Sequence, residues 1–345
     1  MSLDRREFLT RGLGGAGAAC SALAAGEADA FTLARPDKVA SPDAVGILYD
    51  STLCVGCKAC VSACKAANGA PAVVPATLAD WNQGEWDSAE DLDGRTLNVI
   101  KVYVNGTREV KDREVDGFAF VKRHCLHCID PSCVSVCPVS AMHKDPVSGI
   151  VTNDKDACMG CRYCSYACPF GVPQFDLTTP YGRINKCQMC GHLQAKGGIP
   201  ACCDVCPTGA SLFGKLTDLQ TEAEKRIVLA SGTDYAFPRG RLGDASRPPN
   251  PGKAATYQPK VYGEKDGGGT QLRYLAGVPF PRLGLPVLPE HSFAARAEGI
   301  QHTLYKWFAA PIVLFAGLLA LTYRSTRKGH GTGQTSHDQQ PANKS

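Results

Sequence analysis

The sequence predicts an α+β fold of two nested modules organised around bound metal, with insertion loops and one C-terminal transmembrane helix. Three observations predict it. Sixteen of the 18 cysteines fall into four short runs of four, short β-type stretches flank those runs, and one uncharged apolar stretch lies near the C-terminus. The chain has 345 residues, enough for one large or two modest domains. Its 23 Pro and 36 Gly predict a loop-rich fold that buries little apolar core and leans on cofactors for stability. A net charge of only +4 implies no nucleic-acid partner.

Taken in order, Asp4-Arg5-Arg6-Glu7-Phe8-Leu9 is a twin-arginine signature, followed by a Gly/Ala-rich stretch and the Ala28-Asp29-Ala30 cleavage pattern. Residues 1–30 are therefore expected to be a removed export signal, taking Cys20 with them. The first run is Cys54, Cys57, Cys60 and Cys64, with Lys65 where a proline usually follows. Gly46-Ile-Leu-Tyr before it reads as a strand. Residues 65–122 form an insertion with a strand-like Thr96–Val104 and a polar loop holding Trp81 and Trp86, for which local packing is the simpler reading. The second run is Cys125, Cys128, Cys133 and Cys137. The third is Cys158, Cys161, Cys164 and Cys168. Between them, Ala141 to Val151 reads as strand, turn and strand. The fourth run is Cys187, Cys190, Cys202 and Cys206, followed by strand-like Ser211-Leu-Phe. Cys202 keeps the spacing to Cys206, so Cys203 is left over as a small buried thiol.

The third run reads C-x2-C-x2-C-x3-C-P, the bacterial two-cluster ferredoxin pattern, in which the fourth cysteine serves the neighbouring [4Fe–4S] cube. Thiolates also bind zinc, but zinc sites usually present separated cysteine pairs. Runs two and three are close in sequence and form an inner module over 123–175. Runs one and four then form the outer module of a 44–215 domain. The cross-over rule assigns one cube to Cys125, Cys128, Cys133 and Cys168, and its neighbour to Cys158, Cys161, Cys164 and Cys137. A third falls to Cys54, Cys57, Cys60 and Cys206, and the fourth to Cys187, Cys190, Cys202 and Cys64. Phe118–Val121 is expected to pair with Val172–Phe175. Four cubes held by sixteen thiolates keep no open coordination site, which leaves one-electron transfer rather than catalysis. His124 and His127 flank run two but are not needed as ligands. Lys122, Arg123, Arg162 and Lys186 lie near the runs and either offset cluster charge or face solvent.

Thr217 to Leu229 reads as an amphipathic helix with Thr217 or a neighbour as N-cap. The rest of 216–302 is a Pro/Gly-rich extension expected to pack on the cluster domain or on partners. Gly267-Gly-Gly269 within it lacks a P-loop's Lys and Ser/Thr and reads as flexible backbone. No catalytic triad, carboxylate pair or dinucleotide fingerprint rises above chance. Trp307 to Tyr323 is free of charge, aromatic at both ends and followed by Arg324, Arg327 and Lys328. An anchor over 303–324 is expected, with a disordered cytoplasmic tail over 325–345 and the cluster domain on the outer, periplasmic face of the cytoplasmic membrane.

The cysteine pattern over about 44–215 resembles the four-cluster ferredoxin-like subunits of membrane-bound respiratory oxidoreductases. Gly46-Ile-Leu-Tyr-Asp-Ser-Thr-Leu-Cys-Val-Gly-Cys, Tyr262-Gly-Glu-Lys-Asp-Gly-Gly-Gly-Thr-Gln and Ile300-Gln-His-Thr-Leu-Tyr-Lys are similar to the electron-transfer subunits of hydrogenase-2-type periplasmic [NiFe] uptake hydrogenases. That resemblance implies a non-catalytic relay. Electrons would pass from the hydrogenase small subunit, itself partnered by the large one, to an integral-membrane quinone-reducing subunit. The same wiring serving a molybdopterin enzyme such as formate dehydrogenase is the alternative. A zinc-stabilised docking protein is the more distant one.

Overall fold

The computed structural model describes residues 34–69, 91–176 and 182–329. The expected export signal over 1–30, Trp81, Trp86 and the tail beyond 329 lie outside the described residues. The first strand, β1 (Val45–Asp50), leads into run one, which ends on helix α1 (Ala59–Ala67) carrying Cys60 and Cys64. The insertion supplies β2 (Asn98–Val104) and β3 (Val110–Lys111), and β4 (Gly117–His124) delivers run two. Cys133 sits on α2 (Ser132–Ser135), and the hairpin β5 (Met142–Lys144) and β6 (Val151–Asn153) follows. Run three ends on α3 (Tyr163–Ala167), and β7 (Gln174–Phe175) and β8 (Ile184–Asn185) lead to run four. That run carries α4 (Gly191–Gln194) and α5 (Ala201–Asp204), the latter holding Cys202 and Cys203. Then come β9 (Ser211–Lys215), α6 (Leu216–Ile227), β10 (Asp234–Phe237), β11 (Gly240–Arg241), β12 (Asn250–Lys253), β13 (Leu272–Leu275) and α7 (Phe293–Gly329). A 3₁₀ turn, Phe280–Leu283, lies before the last helix.

The strands flanking runs one and four pair as expected. β1 lies antiparallel to β9, from Val45 opposite Lys215 to Tyr49 opposite Ser211. β13, from the Pro/Gly-rich extension, joins the other edge of β1 in parallel, and β11 completes the order β11-β9-β1-β13. Nothing in the periodicity of 231–290 announced β13, whose four residues are all buried. Its close fit depends on Gly46, where an added Cβ would stand 2.3 Å from the Gln271 carbonyl oxygen. β1 buries both faces, as a central strand must. Ile47 and Tyr49 join the core that contains Cys54, Cys125 and Cys202, while Leu48 packs with Leu212, Leu219 and Ala223 beneath α6. Tyr49 and Tyr274 donate hydroxyl hydrogen bonds to the carbonyls of Phe120 and Lys122, at 3.1 and 3.0 Å, fastening this sheet to β4.

Four expectations are corrected. Phe118–Val121 does not pair with Val172–Phe175: β4 lies between β2 and β3, because the long insertion strand matches its full length, and β7 pairs with β8. α6 begins directly from β9, with Lys215 at its N-cap position and no side-chain cap, so Thr217 already lies inside the helix. Gly267, Gly268 and Gly269 form a packed turn, not loose backbone: all three have positive φ, and Gly267 and Gly268 donate to the Pro289 and Glu290 carbonyls. The apolar C-terminal stretch is helical, but no helix among the described residues is long and apolar enough to cross a membrane. The 17 uncharged residues from Trp307 to Tyr323 rise only about 25 Å at 1.5 Å per residue, short of a ~30 Å hydrocarbon core.

One unit of the chain comprises Arg35–Arg296 and holds all four cysteine runs. The helix from Ala297 onward belongs to a second unit, where Ile312, Val313, Leu314 and Phe315 expose their apolar side chains.

Candidate iron–sulfur centres

Each run is a tight loop that turns into a short helix. Left-handed residues shape the loops: Gly56 and Lys58 in run one, His127 in run two, Gly160 and Arg162 in run three, Met189 and Cys190 in run four. Alternation of left- and right-handed backbone points successive N–H groups into one concavity, the nest geometry that receives anions and iron–sulfur groups. Sulfurs already accept such bonds. Met189 N donates to Cys187 Sγ at 3.3 Å, Met142 N to Cys137 Sγ at 3.5 Å, and Asn68 Nδ2 to Cys64 Sγ at 3.7 Å.

The thiols gather across runs. Burial is the first effect raising Cys64, and the charges that add to it are those of Cys187, Cys202 and Cys190. A small void of about 10 Å³ lies between these four, lined also by Asn68, Asn98, His124 and Met189. Burial likewise raises Cys128, and then Cys168, Cys133 and Cys125. Cys164 is pushed up to about 11, by burial and then by Cys158, with Cys137 and Cys161 also acting. Cys54 has Cys206 as its thiol neighbour, and Cys60 feels both Cys54 and Cys202. Cys57 of the same run is exposed.

Links between groups set their order. Cys133 feels Cys164, Cys187 feels Cys125, and Cys60 feels Cys202. The row therefore runs from Cys137/158/161/164, through Cys125/128/133/168 and Cys64/187/190/202, to Cys54/57/60/206. Cys161 and Cys57, one at each end, are the exposed thiols. Among the described residues, no three His, Cys, Asp or Glu side chains gather as one ion would require. The four thiolates of a cube bind four separate irons and stand farther apart than the ligands of a single ion.

The adjacent cysteines differ. Cys203 is fully buried, its thiol is raised by burial, and its side-chain hydrogen bond holds Cys202 below the usual thiol range. Of the four cations near the runs, Lys122 and Lys186 are buried, Arg123 is half-buried and Arg162 is exposed. Lys122 Nζ donates to Ser211 Oγ at 3.1 Å. Burial works against its charge, but Cys202 and Cys60 raise it well above the usual range. Lys186 Nζ donates to the carbonyls of Val151 and Cys187. Arg123 pairs with Asp91 at 2.7 Å, and Arg162 lies over the Phe175 ring at 4.9 Å. Lys144, which the sequence did not single out, donates to the Cys128 carbonyl at 3.0 Å and is pushed down to about 8, chiefly by burial. His124 and His127 are fully buried and held neutral, by burial first and then by Lys122 and Lys186 respectively.

Thiol cages, inward N–H groups and buried cations suit a dianionic cube better than a neutral core. They define an iron–sulfur protein of the ferredoxin class. The family model of the "4Fe-4S dicluster domain" matches residues 117–216. The hydrogenase-2 operon protein HybA of Escherichia coli O157:H7 is 44% identical over 345 residues, covering 97% of this chain and 100% of that protein. The formate dehydrogenase-O iron-sulfur subunit of E. coli K12 is 34% identical over 184 residues, 53% of this chain and 57% of that subunit. The B subunit of the anaerobic dimethyl sulfoxide reductase of E. coli K12 is 36% identical over 176 residues, 51% of this chain and 75% of that one. The chain belongs to the family of the hydrogenase-2 operon protein HybA, as the resemblance read from its sequence implied.

Proposed function

We propose that this chain is the non-catalytic electron-relay subunit of a hydrogenase complex, with four [4Fe–4S] clusters bound by its sixteen grouped cysteines. The row of four thiol groups with an exposed cysteine at each end carries this reading. When bound, each cube accepts and releases one electron without opening a ligand position. The chain's own part is to hold the cubes in sequence, exclude water with the Tyr49 and Tyr274 core, and place Lys122, Lys144 and Lys186 where negative charge accumulates. Exposed Met159, Tyr163 and Tyr166 beside run three, and Val55 and Val205 beside runs one and four, suit docking at the two ends of the row. The partners in this reading are the small and large hydrogenase subunits at one end and a quinone-reducing membrane subunit at the other.

The twin-arginine signature supports export to the periplasmic face of the cytoplasmic membrane. A molybdopterin enzyme remains the competing partner, supported by similarity to the formate dehydrogenase-O and dimethyl sulfoxide reductase subunits over about half the chain. Affinity purification of the full chain from gently solubilised membranes decides between them. Stoichiometric nickel in the complex supports the proposal, and molybdenum or tungsten without nickel overturns it.

A further inference from the structure

The relay reading leaves His127 without a role, although the structure fixes its protonation pattern. The ring is 1% exposed, and Val151 donates its backbone N–H to Nδ1 at 3.0 Å. A ring nitrogen that accepts a hydrogen bond carries no proton. The single proton of the neutral ring is therefore on Nε2. That Nε2–H is buried and meets no acceptor among the described residues. A buried donor normally has a partner, so the missing acceptor is the informative feature.

The surroundings identify where the acceptor belongs. His127 stands between Cys125 and Cys128 in the second run. The carbonyl of Val151, whose N–H holds the ring, receives Lys186 Nζ, and the Cys128 carbonyl receives Lys144 Nζ. Both lysines act on the ring. Lys144 also faces Cys128, Cys125 and Cys133, and Lys186 faces Cys133. The ring and this thiol group thus share two cations as neighbours. His124, which lines the void of the adjoining group, also has an unpartnered Nε2, but its ring is already engaged by a backbone hydrogen bond at Cys125, so its Nε2 is not assigned as a donor.

We propose that His127 Nε2–H is a hydrogen-bond donor to sulfur of the cluster held by Cys125, Cys128, Cys133 and Cys168, with Val151 as the group that positions it. The inference rests on the cluster reading above. His127 is a positioning and tuning residue, not a ligand. A donor aimed at sulfur favours the more negative, reduced cluster, so it raises that cluster's midpoint potential relative to an apolar side chain.

The test uses the full chain, prepared anaerobically and followed by redox titration with electron paramagnetic resonance. Iron and sulfide content of the unaltered chain reports separately on the cluster reading. With iron content equal, His127→Leu is expected to shift one of the four midpoint potentials to lower values and leave the others in place. His127→Gln, which keeps an N–H donor, is expected to recover part of the shift. In the unaltered chain with [¹⁵N]histidine, the reduced cluster is expected to show a coupled ¹⁵N and an exchangeable proton, both lost in His127→Leu. Unchanged potentials in His127→Leu overturn the proposal. If that variant fails to retain iron, the labelled unaltered chain decides, and absence of the ¹⁵N and exchangeable-proton couplings overturns it.

Discussion

Cys202 and Cys203 sit side by side on one four-residue helix, are both buried, and differ only in which way they face. Cys202 looks toward Cys64, Cys187 and Cys190, whereas Cys203 stands behind it as a hydrogen-bond partner. Cys203→Ala is therefore expected to retain full iron content, and Cys202→Ala to lose on the order of one cube's four irons. Iron analysis of the two purified variants checks this, and equal iron loss in both would contradict the division of roles. The x3 spacing to Cys206 makes this distinction legible in the sequence. Spacing says nothing about cations, because a lysine's sequence position does not reveal whether its flexible stem folds inward. Lys122 and Lys186 look the same as Arg123 and Arg162 in the sequence, and nothing there marks Lys144. Its place on a two-sided hairpin strand turns it onto the Cys128 carbonyl.

Helix α6 is tied to β1 by a buried ionic network. Arg226 donates to Glu222 Oε1 at 2.8 Å and to Asp50 Oδ2 at 3.1 Å, and Tyr257 donates to the same Asp50 oxygen at 2.9 Å. Arg226 is fully buried, so Arg226→Met strands two carboxylates in the core and is expected to cost on the order of 3–5 kcal/mol. A lower thermal midpoint for loss of the iron–sulfur absorbance checks it. An unchanged midpoint would contradict it. A second tie joins the segment before β1 to the start of α7. Burial acts to raise Asp130, but hydrogen bonds from Arg35 and Ser292 outweigh it and hold its carboxyl below the usual range. A depressed carboxylate stabilises the fold above its unfolded pKa, near 3.9, and loses that contribution only as pH falls through its folded value. The destabilisation of Asp130→Asn is thus expected to be equal at pH 7 and pH 5. Denaturant midpoints at the two values check this, and a penalty that halves by pH 5 would refute it. Elements with a strong periodic or turn signal were legible: β1, β2, β9, the β5–β6 hairpin and α6. β13 was not, because four buried residues between glycine-rich turns carry no alternation. The partner of β4 was missed because residues 105–116, which join it to β2, are too long a connection to give a tight-hairpin signal.

For the molecule as a whole, the core around Ile47, Tyr49, Phe213 and Tyr274 is continuous with cysteine side chains rather than separate from them. Folding and cluster binding are then one process, as in other small metal-dependent modules. The pairing of the strands that flank runs one and four was legible, because Gly46-Ile-Leu-Tyr and Ser211-Leu-Phe both carry strand-like residues. The row order was not, since it depends on contacts such as Cys187 with Cys125 and Cys202 with Cys60 that no spacing encodes. The central claim is that these thiol groups hold four cubes in line. Its most direct test is a count of iron and acid-labile sulfide on the intact chain purified without oxygen. The account predicts about sixteen of each per chain, four for every cube. A few zinc atoms with little iron or sulfide would contradict it.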